Sequence, residues 1–128
     1  MTAAELRLAR ETLGVPAQWL ADRLNVTLRT VRRWESTGPV SAHAAAVTRD
    51  LLRAQDEFVD AVVAALSDDN TAGETDLWVS TYANDDDYHA EHPDLLWPAS
   101  WHRAVMARAA RTLPGVRVTY LREATPDD

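Results

Sequence analysis

Residues 27–35, "TLRTVRRWE", set three arginines among a valine, a tryptophan and a glutamate. A guanidinium is a planar, permanently charged fork of N–H donors. It bonds a carboxylate, a phosphate or the edge of a guanine two contacts at a time. At ~100° per residue on a helix, Arg29, Arg32 and Arg33 fall within about 100° of arc. Val31 and Trp34 fall on the opposite side, and Leu28 borders the arginines. The segment reads as a short helix with an apolar back and a face made almost wholly of guanidinium. An ordinary solvated helix face can hold arginines too. Three clustered like charges repel one another, however, and a polyanion that neutralises them gives the cluster a purpose.

Other reactive constellations are weaker. Asp85, Asp86, Asp87, His89, Glu91 and His92 gather metal-binding side chains in one stretch, with the two histidines at i, i+3. No known ligand spacing matches them, and His43 and His102 lie far off in sequence, so the stretch reads as an acidic solvated loop and no metal is expected. The chain has no cysteine and only four glycines. It carries no Gly-rich phosphate loop and no G-x-S-x-G motif. Catalysis and cofactors are not expected.

The elements that must position the arginines follow from periodicity and punctuation. Residues 3–13 read as a helix with Leu6, Ala9, Arg10 and Leu13 on one face, ended by Gly14. Pro16 opens a second helix striped by Leu20, Ala21 and Leu24. Asn25, which tolerates a left-handed backbone, makes a tight connection, and Thr27 caps a third helix at 28–36. Arg10 faces inward on the first helix and needs a partner. Glu35, beside the apolar back of the third, is the candidate. Gly38 and Pro39 break the chain, and Ser41 can cap a fourth helix over 42–66, about 37 Å long. Its expected seam is Val47, Leu51, Ala54, Phe58, Ala61 and Ala65, widened by Val62 and Leu66. Residues 67–75 read as a linker. After it come a strand at 76–82, an acidic loop or short helix at 83–94, a helix at 100–112 that faces Trp101, Val105 and Ala109 one way, and a strand at 115–121. Residues 123–128 read as a disordered tail.

Composition sets the frame. The 128 residues, 46% hydrophobic, suffice for one domain or two very small ones. All 13 basic residues are arginine, a pattern that a GC-rich genome produces without functional pressure. The net charge is −7, but it is unevenly placed. Residues 1–53 hold eight arginines against five acids, a balance of +3, and residues 54–128 hold five against fifteen, a balance of −10. The front half must therefore be judged alone. The absence of cysteine points to an intracellular, cytoplasmic setting. No apolar run approaches the roughly 18 residues of a membrane span.

With these residues in view, "LARETLGVPAQWLADRLNVTLRTVRRWES" resembles the Xre/Cro-type helix-turn-helix domain of bacterial and phage repressors. The likeness rests on Leu13-Gly14-Val15, Leu20-Ala21, Leu24-Asn25-Val26-Thr27, Val31 and Trp34-Glu35, and covers about residues 3–66. The family usually has Gly where Asn25 stands, and the Arg10/Glu35 pair matches a buried ion pair of some members. The wider layout is similar to short dimeric repressors, the anti-CRISPR-associated repressors among them. The resemblance implies that the third helix enters the major groove. It implies base contacts from Leu28, Arg29 and Arg33, with Arg32 adjacent, and phosphate contacts from Thr27 and Thr30. Many members carry Gln at the start of the second helix to bond a phosphate. Ala17 stands there instead, so anchoring falls to Gln18, Ser36, Thr37 or Ser41.

The expected fold is mainly α with a small α+β part: a helix-turn-helix bundle with a long connecting helix at 1–66, and a two-strand, one-helix dimerisation region at 76–122. Two strands alone are marginal and leave edges bare, so a two-fold homodimer with a four-stranded sheet is expected. Its candidate interface residues are Phe58, Val62, Trp78, Tyr82, Trp101, Val118 and Tyr120. Two-fold symmetry calls for double-stranded DNA with an inverted-repeat operator, half-sites about 10 bp apart. The rival expectation is an antitoxin-type regulator whose acidic half, with its aromatics, grips a basic toxin or other protein. No membrane partner is expected.

Overall fold

The computed structural model describes residues 1–69 and 77–122. Most of them are helical, with one small sheet, and the chain divides into two compact units, Met1–Asp56 and Glu57–Asp128. The division lies earlier than the expected boundary at 66, inside a helix.

The first unit begins with α1, Ala3–Leu13. Thr2 and Glu5 form a reciprocal capping box at its start, and Gly14, at φ 70°, closes it with a left-handed residue. The helix α2, Ala17–Leu24, starts directly after Pro16 and ends at Asn25. Asn25 takes φ 56°, ψ 45°, the left-handed conformation for which Asn is suited. Thr27 caps α3, Leu28–Ser36, by accepting from the Thr30 amide. Ser41 Oγ accepts from the Ala44 amide as α4, Ala42–Asp69, begins. Leu6, Leu13, Leu20, Ala21 and Val31 are fully buried together, joined by Val15, Leu24 and Trp34 and by Ala44, Ala45 and Leu51 of α4.

Two expectations about α4 are corrected. It continues through Asp69, so residues 67–69 are helix and not linker; residues 70–75 of the expected linker lie outside the described residues. The expected seam holds at Leu51 and Leu66, which are buried, and Val47 and Val62 are half-buried, but elsewhere it shifts by one residue: Ala54, Phe58, Ala61 and Ala65 are exposed, whereas Thr48, Gln55 and Val59 are buried. The buried track carries two polar side chains, which a search for apolar periodicity passes over. Thr48 Oγ1 donates to Ala44 O at 2.7 Å within its own helix. Gln55 Nε2 donates to Thr12 O at 3.1 Å and Leu13 O at 3.4 Å, satisfying carbonyls at the end of α1 that have no helical partner.

The second unit runs β1 (Leu77–Thr81), α5 (Asp85–Glu91), α6 (Ala99–Thr112) and β2 (Val116–Tyr120). The strands pair in parallel, in register from Leu77 with Val116 to Thr81 with Tyr120. A parallel pair needs a crossover, and here two helices supply it, so the expected one-helix region gains α5. Asn84 Oδ1 caps α5 by accepting from the Asp87 amide at 2.9 Å, and Asp85, Asp86 and Asp87 sit in its first turn, where acids favour the helix dipole. Pro98 offers α6 no side-chain cap; Asp85 Oδ1 does so instead, accepting from the Ala99 amide at 2.7 Å. Trp101, Val105, Met106 and Ala109 of α6 are buried. Tyr82, Tyr88 and Ala99 form a core cluster with Trp97 and Leu121 packed against it. Trp97 stacks on Trp101 at 4.3 Å, and Phe58 meets Trp101 edge-on at 5.1 Å.

This packing corrects the expected dimer surface. Tyr82 and Trp101 are only 8% and 2% exposed within a single chain, so they serve the chain's own core. Phe58, Val118 and Tyr120 remain exposed, and Val62 and Trp78 are half-buried.

Candidate nucleic-acid interface

The arginine helix is fixed from behind. Val31 and Trp34 anchor its apolar back in the core. Arg10 of α1 grips Glu35 from the side: Nε donates to Oε2 at 2.7 Å and NH2 to Oε1 at 2.9 Å, while NH1 donates to Val15 O at 3.2 Å. Both side chains are largely buried, and the hydrogen bonds to Glu35 raise the Arg10 pKa above its ordinary value. This pair sets the rotation of α3 about its axis relative to α1.

The opposite face is open. Arg29, Arg32 and Arg33 are all exposed, and none makes an ion pair among the described residues. The unit's four other exposed arginines divide: Arg23 and Arg49 also make no ion pair among the described residues, and the remaining two are paired. Arg7 pairs with Glu11 at 3.1 Å and Arg53 with Asp50 at 3.0 Å, each from its own helix. No acid stands within α3 on the arginine side, and its first turn is free of acids, so the positive end of the helix dipole adds to the same sign. Leu28 is half-buried at the edge of this face. Arg23, in the last turn of α2, is a further exposed arginine without an ion pair among the described residues. Sequence reading passed over it because it stands alone, outside the arginine cluster.

The expected phosphate-contact residues are exposed or, for Thr30, half-buried, but their polar groups are partly committed. Thr27 Oγ1 accepts from the Thr30 amide at 3.2 Å and shares a hydrogen bond with Thr30 Oγ1 at 3.0 Å. Ser36 and Thr37 hydroxyls donate to Arg33 O at 3.1 and 3.5 Å. Ser41 Oγ accepts from Ala44 and keeps its own proton to donate. Gln18 Nε2 donates to Asp22 Oδ1 at 2.8 Å. Of these, Ser41 and the second amide proton of Gln18 are the donors most readily turned to a phosphate.

In the second unit, the acidic stretch does not converge. His89 Nε2 bonds Trp97 O at 2.8 Å and His92 Nε2 bonds the Tyr82 hydroxyl at 3.1 Å, while Asp85 caps α6 and Asp87 meets Arg122 at 3.3 Å. Among the described residues, no three metal-binding side chains come together. His102 Nδ1 and Thr81 Oγ1 share a 2.7 Å hydrogen bond. Burial, with His92 adding repulsion, pushes the His102 pKa down to about 4. Burial likewise pushes the Tyr88 phenol up to about 12, and its hydroxyl has no partner among the described residues.

No protein-family model matches the sequence, and a search of curated proteins finds no relative. No helix among the described residues is long and apolar enough to cross a membrane.

Proposed function

We propose that the chain is a sequence-specific DNA-binding transcriptional regulator of the Xre/Cro helix-turn-helix type, most simply a repressor. In this reading α3 lies in the major groove with Leu28, Arg29, Arg32 and Arg33 toward base edges, and Gln18 and Ser41 hold the backbone. The observation that carries it is the set of three exposed guanidinium groups, without an ion pair among the described residues, on one face of a helix whose opposite side is locked by core packing and the Arg10–Glu35 fork. A planar fork meets guanine O6 and N7 at once. Repression needs no reacting group: occupancy of a promoter blocks polymerase. As a two-fold dimer the protein takes an inverted repeat with half-sites about 10 bp apart. Methylation interference on the DNA upstream of its own gene tests this. Guanine N7 methylation at a few symmetric positions abolishes binding if arginines read the major groove. Binding indifferent to methylation overturns the reading.

The alternative is an antitoxin-type regulator whose acidic half, with a balance of −10, also holds a basic toxin or other protein. A short toxin-like reading frame beside the gene, whose product co-purifies with this chain, supports it.

A further inference from the structure

We infer that two copies of this chain join through the outer edge of β2, antiparallel about a two-fold axis at Val118. The inference deepens the dimer named above by assigning its surface, and it stands apart from DNA binding.

The ladder fixes which backbone groups face outward. Leu77 N donates to Gly115 O at 3.0 Å and Leu121 N donates to Thr81 O at 2.8 Å. Groups facing the neighbour alternate along a paired strand. With the observed register, Arg117 and Thr119 therefore face β1, and the N–H and C=O of Val118 face away from it. No hydrogen bond among the described residues takes them up.

Side chains agree with the backbone. Residues in register share a face of the sheet, so Val116, Val118 and Tyr120 lie on the side of Thr81, which bonds His102 of α6. Val118 and Tyr120 line a shallow groove with Arg103 and Ala107 of α6, yet stay 37% and 42% exposed. No proline, acid, lysine or bulge interrupts the five residues, and the one charge, Arg117, is held over the Trp78 ring of β1.

The occupant is a second copy because the strand is self-complementary. Turned about Val118, "VRVTY" sets Val118 against its own symmetry mate, Val116 against Tyr120, and Arg117 against Thr119. Aromatic against β-branched is a favoured cross-strand pair, and no like charges oppose one another. Arg117 lies over the Trp78 ring at 4.4 Å, and Arg103 is turned toward the Tyr82 and Ala83 carbonyls at 2.8 and 3.1 Å. Neither therefore points its charge across the axis. The product is a four-stranded sheet, β1-β2-β2-β1, with both inner edges paired.

The chain has no cysteine, so a single one is a clean probe. Hydrogen-bonded antiparallel pairs hold Cα atoms about 5.5 Å apart, within disulfide reach. Full-length Val118→Cys is expected to form a covalent dimer under mild oxidation, and Ser80→Cys, exposed on β1, is not. Light scattering at micromolar concentration is expected to give twice the 14.2 kDa of one chain for the unaltered protein. Val118→Asp is expected to give the single mass with its circular dichroism retained. A monomeric unaltered protein overturns the inference. So does a dimer that neither crosslinks at Val118→Cys nor dissociates with Val118→Asp, an outcome that leaves the DNA reading intact.

Discussion

Arg10 and Glu35, 25 residues apart in sequence, meet as a two-pronged fork at 2.7 and 2.9 Å, with Glu35 only 9% exposed at its side chain. The pair sits on the flank of α3, between its apolar back and its arginine face. It binds the helix that carries the three exposed arginines to the one that starts the fold.

Removing either partner leaves a largely buried charge without its counter-ion. Arg10→Ala or Glu35→Ala is expected to cost about 3 kcal/mol of stability, the lower end for buried pairs because some solvent reaches Arg10. The double variant is expected to cost clearly less than the sum of the two. Urea unfolding of the three variants measures this, and additive losses contradict the coupling.

Arg29 and Arg33 are exposed and bear no load in the fold. Arg29→Ala and Arg33→Ala are each expected to weaken binding by about 1–3 kcal/mol at one base pair of the operator and relax preference there. Thermal melting should stay within about 0.5 kcal/mol of the unaltered chain, as for other surface changes. Binding to a panel of single-base operator variants separates the roles: equal loss on specific and scrambled DNA makes the residue a phosphate contact.

Gln55 fills the last turn of α1 with donors. Gln55→Leu keeps the volume but leaves the Thr12 and Leu13 carbonyls short of a partner, an expected loss of about 1–3 kcal/mol. Hydrogen exchange near the end of α1 is expected to quicken in step. Unchanged stability means water replaces the amide at no cost.

His102 makes the second unit acid-sensitive. Its folded pKa, about 4, lies below the ordinary histidine value, so the unfolded chain binds the proton first. The stability it contributes is whole above about pH 6.5 and is lost as pH falls toward 4. Thermal melts of the unaltered chain are expected to fall across that window, and less steeply in His102→Gln, which keeps a hydrogen bond for Thr81. Parallel slopes contradict a titrating role for His102.

The sequence made the first unit readable because its punctuation is local. Gly14, Asn25, Thr27 and Ser41 each mark a helix end through their own backbone or hydroxyl chemistry, and each sits where expected. The inward Arg10 announced its partner by the cost of burying it alone. What stayed hidden depended on tertiary contacts. The core track of α4 runs through Thr48 and Gln55, whose polarity disguises it. Residues 83–94 left a loop and a short helix open, because the Asn84 cap of α5 lies in a stretch too acidic to show an apolar stripe. Tyr82 and Trp101 read as surface for a partner because nothing in sequence tells that Tyr88 and His102 pack on the one, and Trp97 and Phe58 on the other. The arginine face itself was legible, since three arginines at helical spacing need no fold to share a side.

The most direct measurement is the fluorescence anisotropy of the full chain on its own upstream DNA and on a scrambled duplex, titrated with salt. The account predicts tight binding to the native sequence only, with a steep negative salt slope that becomes shallow when Arg29, Arg32 and Arg33 are all changed to Ala. Equal affinity for both duplexes, or binding that survives the loss of all three arginines, contradicts it.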